Sequence, residues 1–91
     1  MERPVLRIIA ARRSSDRAVP SRVIATVFAP KDTGKGDFGC LVSVPGVLDG
    51  DKLILGVDED HAAEVSAYFV CSLLRGMQID ICQEETVESD T

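Results

Sequence analysis

Residues 34–39 read Gly-Lys-Gly-Asp-Phe-Gly, GKGDFG, and the letters match the pattern G-x-G-x-x-G. Two folds hang on this stretch. In a dinucleotide-binding fold the glycines lie between a strand and a helix, and the free N–H groups of that helix face the phosphates. In an antiparallel fold the same glycines turn a hairpin. The residues that follow decide between them. "FGCLVSV", residues 38–44, alternates with period two. Phe38, Cys40, Val42 and Val44 share one face; Gly39, Leu41 and Ser43 share the other. Such a run is a strand and cannot open a helix. Asp58 stands roughly 20 residues on, the distance of a ribose-binding acid, but at a helix start rather than after a parallel strand. Lys35 is followed by Gly36, so no G-K-[ST] phosphate loop is present either. The stretch reads as a hairpin loop: Gly34 and Gly36 supply positive φ, and Gly39 marks a bulge or a close approach inside the strand.

Working outward in both directions gives the same kind of element. Upstream, "RVIATVFA", residues 22–29, alternates Val23, Ala25 and Val27 with Arg22, Ile24 and Thr26, and Pro30 closes it. Ile24 and Phe28 on its second face imply a strand partly covered on both sides, as a central strand is. Before it come the loop "RSSDRAVPS" and a β-branched strand over residues 5–12, "VLRIIAAR". Downstream, "PGVLDGD" is a turn, and residues 52–57, "KLILGV", form a fourth strand with Leu53, Leu55 and Val57 on one side.

The spacing then predicts one helix over residues 59–75. Asp58 or Asp60 caps it, the acidic run suits the positive end of its dipole, Arg75 suits the other end, and Gly76 is a natural stop. Ala62, Val65, Phe69 and Leu73 make one apolar face, yet Ala63, Ala67, Val70 and Leu74 are apolar as well. A single sheet covers one side of a helix. The sequence therefore points to a second copy on the other side, with Tyr68, Val70, Cys71 and Leu74 as the dimer interface. Residues 78–82, "QIDIC", allow a short final strand.

The class is α+β: an antiparallel meander of three to four strands with one C-terminal helix packed on one face, and with room for a short final strand. One domain over residues 1–83 and a disordered acidic tail over 84–91 complete the expectation.

Charge is segregated along the chain. Residues 1–35 hold eight basic and three acidic groups, net +5, and residues 36–91 hold two basic and twelve acidic groups, net −10. The arginines carry no interleaved aromatics and the overall balance is acidic, which argues against nucleic acid as a partner. Arg7, Arg12 and Arg13, with Arg17 and Arg22, form either a solvated sheet face or a grip for an acidic partner. Asp58, Glu59, Asp60 and His61 form the opposite candidate, a surface for a basic protein. His61 is also the only histidine available as a general base or metal ligand, but Ser14 and Ser15 lie in a loop and Cys71 on the apolar helix, so no nucleophile is paired with it. Cys40, Cys71 and Cys82 have neither disulfide nor zinc spacing and read as reduced thiols of a cytoplasmic protein. No catalytic residue, cofactor or metal is expected. No apolar run approaches the roughly 20 residues of a membrane span.

Two resemblances add to this reading. Ile9-Ala10-Ala11-Arg12, Pro30, Asp37-Phe38-Gly39-Cys40 and Gly56-Val57-Asp58 resemble the motifs of a family of small bacterial domains of unknown function. These are an I-A-E-R-like strand, a second strand ending in Pro, a D-[FW]-x-C strand and a G-[VI]-D-S-x-Q-A-L helix entry. The likeness spans about residues 6–74, with Glu59, His61 and Ala63 standing where that family has Ser, Gln and Leu. It implies no known activity. "LVSVPGV" and "DEDHAAEV" are similar in outline to HicB-type antitoxins, although "GVDED" lacks their Ser or Thr and the acidic tail cannot be their DNA-binding segment. That likeness implies an inhibitor that masks a basic toxin. The leading expectation is a non-enzymatic binding module that self-associates as a homodimer; an antitoxin- or immunity-like inhibitor acting through the acidic half is the alternative.

Overall fold

The computed structural model describes residues 3–13 and 21–87. The elements in chain order are β1 (Pro4–Arg12), β2 (Arg22–Phe28), β3 (Lys31–Asp32), β4 (Phe38–Ser43), β5 (Lys52–Gly56), α1 (Glu59–Gly76) and β6 (Ile79–Thr86). The class is α+β: one antiparallel sheet of six strands with a single helix packed on it. Strands β2 and β3 lie along the same side of β4, pairing Thr26 with Ser43 and Val27 with Val42, then Lys31 with Gly39 and Asp32 with Phe38. Ala29 and Pro30 separate the two stretches, and proline has no N–H to give to a ladder. Strand β5 pairs on the other side of β4. Across the sheet the order is therefore β5-β4-β2-β1-β6, with β3 continuing β2.

Every neighbouring pair is antiparallel, so β5 and β6, four steps apart, point the same way. No hairpin joins strands so placed; a crossover does. Helix α1 is that crossover, carrying the chain over one face of the sheet from the β5 edge to the β6 edge.

The core lies between α1 and that face. Ile8 and Ala10 of β1, Val23, Ala25 and Val27 of β2, Cys40 and Val42 of β4, with Val44 and Ile79, are buried against Ala62, Val70 and Leu74 of the helix. The period-two faces read from β2 and β4 are the ones that face the helix. The second face of β2 is partly covered, as expected: Thr26 and Phe28 are half-buried while Ile24 is exposed. Partial cover of this kind suits an antiparallel sheet that leaves much of one face to water.

The GKGDFG stretch is the β3–β4 hairpin loop. Gly34 and Gly36 have φ of 86° and 91°, the Thr33 N–H donates to the Asp37 carbonyl at 3.1 Å, and the Gly34 N–H donates to Asp32 Oδ1 at 2.8 Å. Gly39 is a close approach: a Cβ there would stand 2.8 Å from Leu53 Cδ1.

Two boundaries differ from expectation. Gly76 does not stop the helix; α1 runs through it, Met77 caps it, and the left-handed residue is Gln78 at φ 58°. Strand β6 continues past residue 82 to Thr86, pairing Ile8 with Glu84, Arg7 with Glu85 and Leu6 with Thr86. Residues 84–86 are thus strand rather than tail, while residues 88–91 lie outside the described residues, as do Ser14, Ser15 and Arg17. Among the described residues no helix is long and apolar enough to cross a membrane.

Candidate functional site

The acidic helix start is built around Gly56. It ends β5 in the interior, where a Cβ would stand 2.4 Å from the Ala62 nitrogen. Only glycine lets the strand run into the first turn of α1 this closely. Asp58 then caps the helix in an extended conformation, its Oδ1 accepting the His61 N–H at 2.7 Å. His61 Nδ1 accepts the Val57 N–H at 3.0 Å. This is a variant of the capping box: histidine stands at the N3 position usual for glutamate or glutamine, but its ring accepts from the N–H of the residue before the N-cap rather than from the N-cap itself. The bond fixes Nδ1 as an acceptor, so the neutral ring carries its proton on Nε2. Asp58 and His61 are thereby engaged in ending a strand and starting a helix. Glu59 and Asp60 remain exposed, and with Asp58 and Phe38 they border an open recess of about 350 Å³.

The arginines do not form one surface. Arg13 Nε donates to both carboxylate oxygens of Asp80 at 3.2 Å, and its Nη2 also donates to Oδ1. The hydrogen bond from Arg13 holds the Asp80 carboxyl below the usual carboxylate range. Arg7 is half-buried in the middle of β1, with Thr26 beside it on β2 and Glu85 beside it on β6. Arg12 is half-buried at the end of β1, and Arg22 is exposed at the start of β2. The register thus lays the acidic strand β6 directly against the basic strand β1, and the charge segregation seen along the chain closes up in space.

The helix residues expected at a dimer interface are likewise divided. Val70 and Leu74 are 0% exposed and belong to the chain's own core. Cys71 is half-buried, and Tyr68, at 74% exposure, points to solvent. Residues 62, 66, 70 and 74 face the sheet, and Ala63, Phe69, Cys71 and Leu73 pack against the edges of the same core. The apolar girth of the helix is largely absorbed within one chain, and its outermost line is Glu64, Tyr68, Ser72 and Arg75.

Two of the three thiols are withdrawn from solvent. Cys40 is buried and Cys71 half-buried, and burial pushes both thiols up. Cys82 is exposed on β6. Among the described residues no three His, Cys, Asp or Glu side chains are grouped to hold a metal ion.

The surface that sequence reasoning missed is the far side of the sheet. Leu53 and Leu55 of β5 are 53% and 50% exposed, and Val57, just beyond them, is 72% exposed. Leu41 pairs with Leu53 and Gly39 with Leu55. Leu53 leans over the bare Gly39, and with Leu41, Lys31, Asp32 and Thr33 they surround a second recess of about 350 Å³. The signal was present: Leu53, Leu55 and Val57 share one side of a strand whose other side holds Ile54 and Gly56. What the sequence leaves open is which side of β5 the helix covers. No family model matches the chain, and no curated protein or solved structure matches it.

Proposed function

We propose that this chain is a non-enzymatic binding module that works by self-association, and that its contact surface is the open side of the sheet around β5 rather than the helix. One observation carries this reading. Of the five large apolar side chains most exposed to water among the described residues, Leu53, Leu55, Val57 and Ile24 belong to that sheet side and its β5 end, and only Tyr68 lies on the helix. Scattered exposed leucines need no explanation, whereas a set aligned on one strand marks a contact surface. Light scattering over a dilution series tests it. A molar mass that rises with concentration is the expected result, and a monomer throughout refutes self-association.

A second reading is favoured by the recess at the helix start. Glu59 and Asp60 place exposed carboxylates beside the Phe38 ring, a setting for a basic side chain. An inhibitor of a basic toxin, as the HicB-type resemblance implies, would use it. A purified complex with a small basic protein at fixed stoichiometry, weakened by Glu59→Lys with Asp60→Lys, supports this reading; a complex indifferent to both changes counts against it.

A further inference from the structure

We infer that two copies of the chain join by pairing β5 with β5, antiparallel about a twofold axis centred on Leu55, so that the two sheets run on as one. The inference rests on the self-association proposed above and specifies its geometry.

The two ends of the sheet are built differently. Sheet edges invite pairing with another chain, and proteins blunt them with charges, bulges and short strands. The β6 edge is blunted: it carries Asp80, Glu84 and Glu85, and its register against β1 shifts between Ile9 and Ala10. The β5 edge is not. Lys52 is its one charge, its ladder to β4 runs unbroken through five pairs from Lys52 to Gly56, and among the described residues no strand lies on its other side. Its other exposed side chains are Leu53 and Leu55.

Symmetry and charge then select a register. A twofold axis perpendicular to the sheet keeps its open side open, so only residues on the same side of β5 can face each other. A centre at Leu53 sets Asp51 against Leu55, and a centre at Ile54 sets Asp51 against Val57; both place a carboxylate on an apolar partner. A centre at Leu55 sets Leu55 against itself, Leu53 against Val57 and Ile54 against Gly56. It also sets Lys52 against Asp58, twice over. Lys52 and Asp58 are both exposed, and the Asp58 backbone is extended at φ −148° and ψ 179°, within the broad β region. Opposite charges and apolar pairs facing each other across an antiparallel ladder each stabilise it. This one register covers all three exposed apolar residues of the segment and opposes its basic residue to an acidic one. A second copy of this chain is therefore the occupant that the edge fits.

Covalent trapping tests the register directly. Facing residues of an antiparallel pair have Cα atoms roughly 4.5–5.5 Å apart, within disulfide reach. In a Cys82→Ser background, Leu55→Cys should yield a disulfide-linked dimer on mild oxidation, and Tyr68→Cys should not. In the otherwise unaltered chain, Leu55→Arg places two guanidinium groups face to face and should raise the dimer dissociation constant by roughly 100-fold, with the circular dichroism spectrum unchanged. An edge contact is a small interface, so sedimentation should extend to roughly 100 μM. A dimer that ignores Leu55→Arg and does not crosslink at position 55 overturns β5 pairing and leaves self-association standing. A monomer at every concentration overturns both.

Discussion

Gly56 has no side chain at the point where β5 meets the backbone of α1. A methyl group there would stand 2.4 Å from the Ala62 nitrogen and 2.5 Å from its Cα. Backbone cannot yield as a side-chain tip can, so Gly56→Ala should cost about 3 kcal/mol or more in urea unfolding. Gly50 has nothing within 4 Å of its missing Cβ and no left-handed φ; Gly50→Ala should stay within about 0.5 kcal/mol of the parent. Gln78 presents the reverse case. It holds φ 58°, a conformation in which L side chains are strained and glycine is not. Gln78→Gly should therefore raise stability by about 1 kcal/mol. Its backbone bonds, N–H to the Arg75 carbonyl at 3.0 Å and carbonyl from the Arg13 N–H at 2.9 Å, survive the change.

Strand β6 shows how an element can be hidden in a sequence and still be required. "IDICQEET" has little apolar period, and its acidic second half resembles a tail. What orders it is its neighbour. Strand β1 offers a free edge on which Arg7 lies opposite Glu85, Arg13 just beyond it pairs with Asp80, and the Val87 N–H donates to the Val5 carbonyl at 2.9 Å. Tertiary pairing of this kind leaves no local signature, whereas β2 and β4 were legible because alternation and burial coincide in them. Helix α1 was legible in extent and cap but not in which apolar residues faced inward, because apolar residues occupy most of its circumference. A chain ending at Val87 keeps all of β6 and is the reference. Deleting residues 84–91 removes several ladder bonds to β1, at about 0.5–1.5 kcal/mol each, and should lower the urea midpoint clearly. Equal midpoints for the two truncations would show that the end of β6 contributes nothing.

At the scale of the molecule, one aliphatic core sits between one helix and one side of one sheet, and the three cysteines sample its depth. Cys40 lies at its centre with no exposure, Cys71 on the flank of α1 is half-buried, and Cys82 on the edge strand is open to solvent. Only the thiolate reacts with a disulfide reagent, and burial both shields the Cys40 sulfur and holds it protonated. Cys82 should therefore be modified at once in the native protein. Cys71 is reached when α1 lifts from the β6 side of the sheet, where Glu84 adds to the upward push on its thiol. Cys40 is sealed by elements from both halves of the chain, β2 and β4 below and the helix above, so no local opening exposes it. Its modification should be slower than that of an unfolded chain by at least about 10³-fold, the unfolding equilibrium constant of a small domain. It should also accelerate in step with added urea, following the global transition, whereas Cys71 should respond less steeply. If Cys40 instead reacts as fast as Cys71, helix and sheet separate without unfolding, and the single core described here is two weakly joined layers.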